Sequence, residues 1–235
     1  MREMTPIAHI EGDFSSKFGI PRQSGLIDAL KARIVFEPPF RDPTALRGLE
    51  GYSHIWLIWQ FSESVMEGWS PTVKPPRLGG NRRMGVFATR SPFRPNPLGL
   101  SCVKLERIEL NTPDGPVLHV AGADLMNGTP IYDIKPYLPY ADCRPEAVDG
   151  FAGEVKDYAV AVEFPESLLE LLPGDKRAAC VEVLRQDPRP GYRHGDSDRR
   201  YGIEFAGFDV RFTVQGGVLR VCEVVKLNEE NEHAL

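Results

Sequence analysis

Cysteine and histidine are scarce and scattered in this 235-residue chain. The four cysteines (Cys102, Cys143, Cys180, Cys222) form no CxxC pair, and the five histidines (His9, His54, His119, His194, His233) show no metal-ligand spacing. A zinc ribbon and a small disulfide framework are therefore not expected; the pattern predicts reduced thiols, a cytoplasmic setting and no metal. A site assembled in space stays open. Cys102 and Cys222 fall in strand-like runs and are expected to act as small buried hydrophobes. His54 and His119 sit beside apolar strand residues and read as structural. No run approaches the ~20 apolar residues of a membrane-spanning helix. The start, MREMTPIAHIEGDF, lacks the apolar core of a secretory signal, so no membrane partner is expected. A GxGxxG loop, a Walker loop and a Ser-His-Asp signature are also missing, which argues against a doubly wound cofactor site.

Acid is missing in one place. The chain as a whole carries 33 Asp and Glu against 28 Lys and Arg, a formal net charge of -5. Yet no Asp or Glu occurs between Glu67 and Glu106, a stretch holding Lys74, Arg77, Arg82, Arg83, Arg90, Arg94 and Lys104. A basic patch in an acidic protein can steer a polyanion locally. Trp69 and Phe93 lie in or beside it, either as stacking partners for bases or as ordinary hydrophobic anchors.

Within that stretch stands GVFATRSPFRPNPLG, residues 85–99. Ser91, Arg94 and Asn96 each precede a proline, so the segment is stiff and non-helical. It is either a proline-rich connector with solvated arginines or a preorganised loop presenting Arg90, Arg94 and Asn96 to an anionic or planar ligand.

The first half reads as short strands between proline and glycine: Ile7–Ile10, Ala32–Phe36, Tyr52–Phe61, Gly85–Thr89, Leu100–Leu110 and Val117–Ala121. Tyr52–Phe61 is nearly all apolar and reads as buried on both faces. Leu100–Leu110 alternates, with Cys102 and Lys104 opposite Val103 and Leu105. Asn111–Gly115 is a turn that folds Val117–Ala121 back as a hairpin. Strands at this spacing predict a closed or nearly closed barrel. The second half predicts a strand at Tyr158–Phe164 and a helix from Pro165 to Leu172. A second helix over Lys176–Arg185 turns Ala178, Val181 and Leu184 or Val183 inward. A polar loop over Gln186–Arg200 follows, then a hairpin of Ile203–Val214 with Val218–Leu227; the tail after Leu227 is expected to fray. The fold class is thus mainly β with an α+β C-terminal part: a β-barrel domain over 1–157 and a small α+β domain over 158–235.

GVFATRSPFRPNPLGLS followed by DLMNGTPIYDIKPYLPYAD resembles the TsaA-like/TrmO family of tRNA methyltransferases, and the C-terminal region resembles the family's bacterial version. The resemblance implies an S-adenosylmethionine-dependent enzyme on a β-barrel. It further implies methylation of N6 of N6-threonylcarbamoyladenosine beside the anticodon of threonine tRNA, by a homodimer. Carried across, it places cofactor contacts at Pro21, Arg22 and Gln23; at Ser62 and Glu63; at Arg90 and Leu100; and at Asn127, Gly128, Thr129 and Pro130. Relatives often carry His where this chain has Ser62, and many carry Asp where it has Asn127, which keeps an acceptor without the charge.

The segment Tyr132–Tyr137, if extended, turns Tyr132, Ile134 and Pro136 one way and Asp133, Lys135 and Tyr137 the other. A carboxylate, an ammonium and a phenol on one face resemble a site; the alternative is a structural Asp133–Lys135 pair. For methyl transfer to N6, Asp133 is the candidate proton acceptor, with Lys135 and Tyr137 orienting it. Arg94 and Asn96, with Arg82 and Arg83, are the candidate substrate-binding residues, Arg94 for the threonyl carboxylate or a phosphate. Two other functions fit the basic patch: a non-catalytic tRNA-binding protein, and an enzyme acting on a small anionic metabolite.

Overall fold

A computed structural model describes residues 3–64, 68–75, 82–154, 156–189 and 199–227. Its strands are β1 (Ala8–Glu11), β2 (Lys31–Phe36), β3 (His54–Gln60), β4 (Thr72–Val73), β5 (Met84–Gly85), β6 (Leu98–Glu109), β7 (Val117–Ala121), β8 (Pro130–Pro136), β9 (Ala161–Glu163), β10 (Tyr201–Phe205), β11 (Phe208–Gln215) and β12 (Val218–Lys226). The helices are α1 (Pro139–Asp142), α2 (Glu166–Leu169) and α3 (Gly174–Arg185).

Six strands close an antiparallel barrel in the order β1-β2-β7-β6-β3-β8. Its interior is filled by alternate residues, among them Ile10, Ile34, Ile55, Leu57, Val103, Leu118 and Ile131. β3 differs from the two-sided burial expected of it. Ile55, Leu57 and Trp59 are buried, while His54, Trp56, Ile58 and Gln60 between them face outward. Aromatic bulk made that run look buried; here it covers both sides of a barrel wall, and only one side is core. β6 alternates as expected, with Ser101, Val103 and Leu105 inward. Gly85–Thr89 is only the end of the β4–β5 ribbon followed by a 3-10 turn over Val86–Ala88.

Because successive barrel strands alternate in direction, three connections emerge at one end: residues 12–30, 61–97 and 122–129. The opposite end carries 37–53, 110–116 and the exit from β8.

The second core is a four-stranded sheet, β10-β11-β12-β9, with β9 parallel to β12, and α3 against it. α3 buries Ala179, Cys180, Val183 and Leu184; Val183 and Leu184 are inward as expected, while Ala178 is exposed and Val181 half-buried, their places taken by Ala179 and Cys180. The expected strand Ile203–Val214 is two strands, because Ala206 (φ 52°) and Gly207 (φ 80°) make a tight turn between them. The predicted helix over Pro165–Leu172 shortens to Glu166–Leu169. Cys102 is half-buried and Cys222 exposed, so the fully buried thiol is Cys180, which burial pushes up to about 12. Most of the expected loop Gln186–Arg200, and the tail from 228, lie outside the described residues. At the start of that loop Asp187 and Arg189 are buried as a bidentate pair (2.8 and 2.9 Å).

The two cores meet on the first connection. Phe14, Ile27 and Leu30 belong to the C-terminal core, not to the barrel. The Phe14 ring meets Phe205 edge-on at 5.5 Å, Ala206 N–H donates to Asp13 O (2.8 Å), and Lys176 Nζ pairs with Asp13 at 2.7 Å.

Candidate active site

At the barrel end where the three connections emerge, β7 pairs with β6 only from Lys104 onward. The free edge of β6 before that point is occupied by the first connection: Cys102 N–H donates to Ser24 Oγ (3.1 Å), and Gly25 N–H donates to Gly122 O (2.8 Å). Into the same gap comes Asp124, a residue the motif reading passed over. It accepts from Ser101 Oγ (2.6 Å), which in turn accepts from Trp59 Nε1 (3.0 Å). The Ser24 N–H and the Arg90 guanidinium also favour its charge, but burial outweighs them and holds the carboxyl above the ordinary aspartate value of 3.8. Arg90 donates to Gln23 Oε1. One residue from each connection thus comes to this end: Arg90 bonds Gln23 and its charge acts on Asp124, which is rooted in the barrel interior through Ser101 and Trp59. The sequence signal for Asp124 was present: it opens the DLMNGTP motif, three residues before Asn127.

The other expected cofactor residues lie at the same end but make different contacts. Pro21 is buried and Arg22 half-buried beside Gln23. Ser62 and Glu63 are exposed on a 3-10 turn after β3, anchored by Phe61 N–H to Pro97 O (2.9 Å). Asn127 Oδ1 accepts from Gly12 N–H (3.1 Å), so its acceptor fastens the third connection to the start of the first, just past β1. Gly128 has φ 76°, a left-handed turn that suits glycine, and donates its N–H to Ile10 O (2.8 Å). Thr129 is 3% exposed and its hydroxyl donates to Met126 O (2.7 Å). Pro130 opens β8 opposite His9.

The outer wall holds the second group. Leu100, Ile58 and Asp133 are cross-strand neighbours on β6, β3 and β8. Leu100 is 55% exposed, and Asp133 stands two strands from it, about 10 Å away. Asp133 Oδ2 pairs with Lys135 Nζ at 2.9 Å, and its Oδ1 accepts from Ile134 N–H (2.9 Å). A bulge between Ile58 and Trp59 alters the expected alternation: Ile131 and Ile134 face the core, three residues apart, so Tyr132 turns outward with Asp133 and donates to Gln60 Oε1.

Tyr137 shares the outer face with Asp133 and Lys135, as the alternation predicts, but stands apart from Asp133. It lies beyond the end of β8, four residues from Asp133 and about 13 Å along the strand. Its N–H donates to His54 O (3.0 Å), and its ring packs against His54 and Trp56. Desolvation there, with Cys143, Cys102 and Asp142 nearby, raises its phenol pKa. Asp142 receives the Trp56 indole N–H (3.0 Å) and the Leu138 N–H (2.8 Å), which together hold its carboxyl low. Tyr137 therefore does not touch Asp133.

Among the substrate candidates, Arg94 Nη1 donates to Thr89 O (3.2 Å) and Arg83 Nη1 to Thr72 Oγ1 (2.7 Å), while Asn96 and Arg82 are exposed. Among the described residues no group of His, Cys, Asp or Glu is arranged to hold a metal ion, and no helix is long and apolar enough to cross a membrane.

The fold has counterparts among solved structures. The tRNA-methyltransferase O N-terminal domain matches residues 9–143, and the TrmO C-terminal domain matches residues 157–227. The chain belongs to the tRNA-methyltransferase O family. Within this TrmO family it is 42% identical over 215 residues to the tRNA (adenine(37)-N6)-methyltransferase of Escherichia coli K12, spanning 88% of this chain and 91% of that protein. A Pseudomonas aeruginosa relative, 40% identical over 229 residues (94% of this chain, 96% of that protein), carries S-adenosylmethionine dependence in its name. The crystal structure of TrmO from Pseudomonas aeruginosa superposes with a TM-score of 0.75 at 35% identity, covering 96% of this chain and 97% of the other.

Proposed function

We propose that this TrmO-family protein methylates N6 of adenosine 37 in tRNA with S-adenosylmethionine as donor. The acceptor in this reading is N6-threonylcarbamoyladenosine of threonine tRNA, and the enzyme works in the cytoplasm as a homodimer. The observation that carries it is the family match across both halves of the chain, with similarity to a named adenine-37 methyltransferase over 91% of that relative's length.

The residues at the three-connection end fit the donor by their chemistry. S-adenosylmethionine carries a carboxylate, an ammonium, a ribose and an adenine. The site offers the Arg90 guanidinium, a carboxylate held in place by Ser101, the Gln23 amide and the exposed Leu100 side chain. When bound, it supplies an electrophilic methyl group on a sulfonium. The residues that would hold it are Pro21–Gln23, Ser62–Glu63, Arg90, Leu100 and Asn127–Pro130, with Gln23 holding Arg90.

Methylation of N6 removes its proton, and an acceptor close by speeds that step. Asp133 takes this role: it is outward, half-exposed, and shares the wall with Leu100. Lys135 orients it through the 2.9 Å pair. Arg94 and Arg82 present positive charge to the threonyl carboxylate or the phosphates.

The test is nucleoside mass spectrometry. The protein is incubated with S-adenosylmethionine and threonine tRNA, with or without the threonylcarbamoyl group. One added methyl on the modified adenosine alone is expected. Equal methylation of unmodified tRNA would overturn the choice of acceptor, and no methylation with intact cofactor binding would overturn the reaction.

A further inference from the structure

Two large aromatic side chains stand in solvent beside the β4–β5 ribbon. Phe87 is 74% exposed and Trp69 54%, their ring centroids are 6.1 Å apart, and their planes lie 31° from parallel. Scattered single hydrophobes on a surface are ordinary; an adjacent exposed pair is not.

The exposure is built into the backbone. Val86 is buried, its N–H donates to Pro71 O (2.9 Å), and its carbonyl accepts from the Thr89 hydroxyl (2.9 Å). The 3-10 turn so fixed must carry Phe87 outward. On the facing segment, Ser70 Oγ donates to Thr72 O (2.9 Å) and Arg83 Nη1 to Thr72 Oγ1 (2.7 Å), which secures the chain just after Trp69.

Charge selects the partner. The surrounding stretch contains lysines and arginines and no acid between Glu67 and Glu106, in a chain whose net charge is -5. A basic, acid-free stretch that carries exposed rings suits single-stranded nucleic acid: cations meet phosphates, and rings stack on any unpaired base. A paired stem hides its base faces. Arg90 follows Phe87 by three residues, at most about 11 Å of chain, so the aromatic pair and the cofactor-end network share one connection.

Resting on the methyl-transfer reading above, we propose that Trp69 and Phe87 form a stacking platform for an unpaired anticodon-loop base flanking the adenosine that is methylated. The platform holds the loop by its neighbouring base while the target base enters the site.

The test uses the full chain and an anticodon stem-loop of threonine tRNA carrying 2-aminopurine, or an abasic nucleotide, on either side of adenosine 37. In the parent, binding quenches the 2-aminopurine at one of these positions. The Trp69→Ala/Phe87→Ala double variant loses that quench and weakens stem-loop binding roughly 5- to 100-fold. Its affinity for S-adenosylmethionine alone is unchanged, and Trp69→Phe and Phe87→Tyr restore stem-loop binding. The abasic nucleotide costs the parent a similar factor and costs the double variant little more. Undiminished stem-loop affinity in the double variant, or an equal abasic penalty in parent and variant, overturns the proposal. So does a changed sedimentation state with intact RNA binding, which would make the patch a contact between copies of this chain. If the parent quenches 2-aminopurine and the variant does not, yet neither transfers a methyl group, the platform stands and the methyl-transfer reading fails.

Discussion

Asp124 shows how one buried carboxylate organises the site and what that does to folding. Its raised pKa means that ionising it opposes folding. Its contribution to stability is complete below the ordinary value of 3.8 and is lost as pH rises through the higher folded-state value. Asp124→Asn is therefore expected to melt at a higher temperature than the parent at pH 7. That advantage should vanish as pH falls toward 3.8, as read by calorimetry across pH. The same substitution removes a negative charge near Arg90, so S-adenosylmethionine affinity measured by titration should fall. Opposite signs for stability and binding would mark a residue retained for function. Asp133 differs, because its pair with Lys135 is half-exposed (46% and 61%), where ion pairs stabilise little. Asp133→Asn should leave the melting temperature within a degree or two while turnover drops about 10²- to 10⁴-fold. Full turnover in a folded, cofactor-binding Asp133→Asn protein would remove Asp133 from the mechanism. The motif Tyr132–Tyr137 made Asp133, Lys135 and Tyr137 legible as one outward face. It could not reveal the bulge, because a bulge depends on the partner strand β3, nor that Tyr137 lies past the strand end with His54 and Trp56.

Among the elements, the β3–β6 pair is tightly constrained at Gly99. Gly99 sits opposite Trp59, and a Cβ placed there would lie 2.2 Å from the indole. Trp59 cannot yield without breaking its bond to Ser101. Gly99→Ala should therefore cost about 1–3 kcal/mol in denaturant unfolding and also weaken cofactor binding. Gly202→Ala is the contrast. Its Cβ would meet Asp209 Oδ1 at 2.6 Å, and Asp209 can turn aside by giving up its half-exposed 2.7 Å pair with Arg211, so a smaller loss is expected. Alternation and turn chemistry made most strands readable, and β6 with its hairpin to β7 follows them closely. Reading failed where burial depended on neighbours: β3 looked buried on both faces, and in α3 Ala179 and Cys180 took the core places expected of Ala178 and Val181. It also failed at Ala206-Gly207, where a non-glycine residue with positive φ made a turn that composition did not announce.

For the whole molecule, the C-terminal sheet acts as a clamp on the connection that carries Pro21–Gln23. Phe14, Ile27 and Leu30 are buried in its core, Ser15 Oγ donates to Glu204 Oε2 (2.7 Å), and Gly19 passes against Ile203. Phe14→Ala should cost about 3–5 kcal/mol in unfolding. It should also raise the dissociation constant for S-adenosylmethionine, although Phe14 itself belongs to the C-terminal core. A stability loss with unchanged cofactor affinity would show that the clamp does not reach the site.

The sequence by itself determined the local matters: strands from alternation, turns from glycine and proline, a basic stretch from the missing acids, and the family from two long motifs. These depend on neighbours within a few residues of one another, which the chain order preserves. Tertiary structure alone decided which distant groups meet. Arg90 reaches Gln23 across 67 positions, Ser101 reaches Asp124 across 23, and Ser15 reaches Glu204 across 189. Those meetings follow from barrel closure, which brings three connections to one end, and from burial of Phe14 in a second core. Both are properties of the packed chain that no local pattern carries.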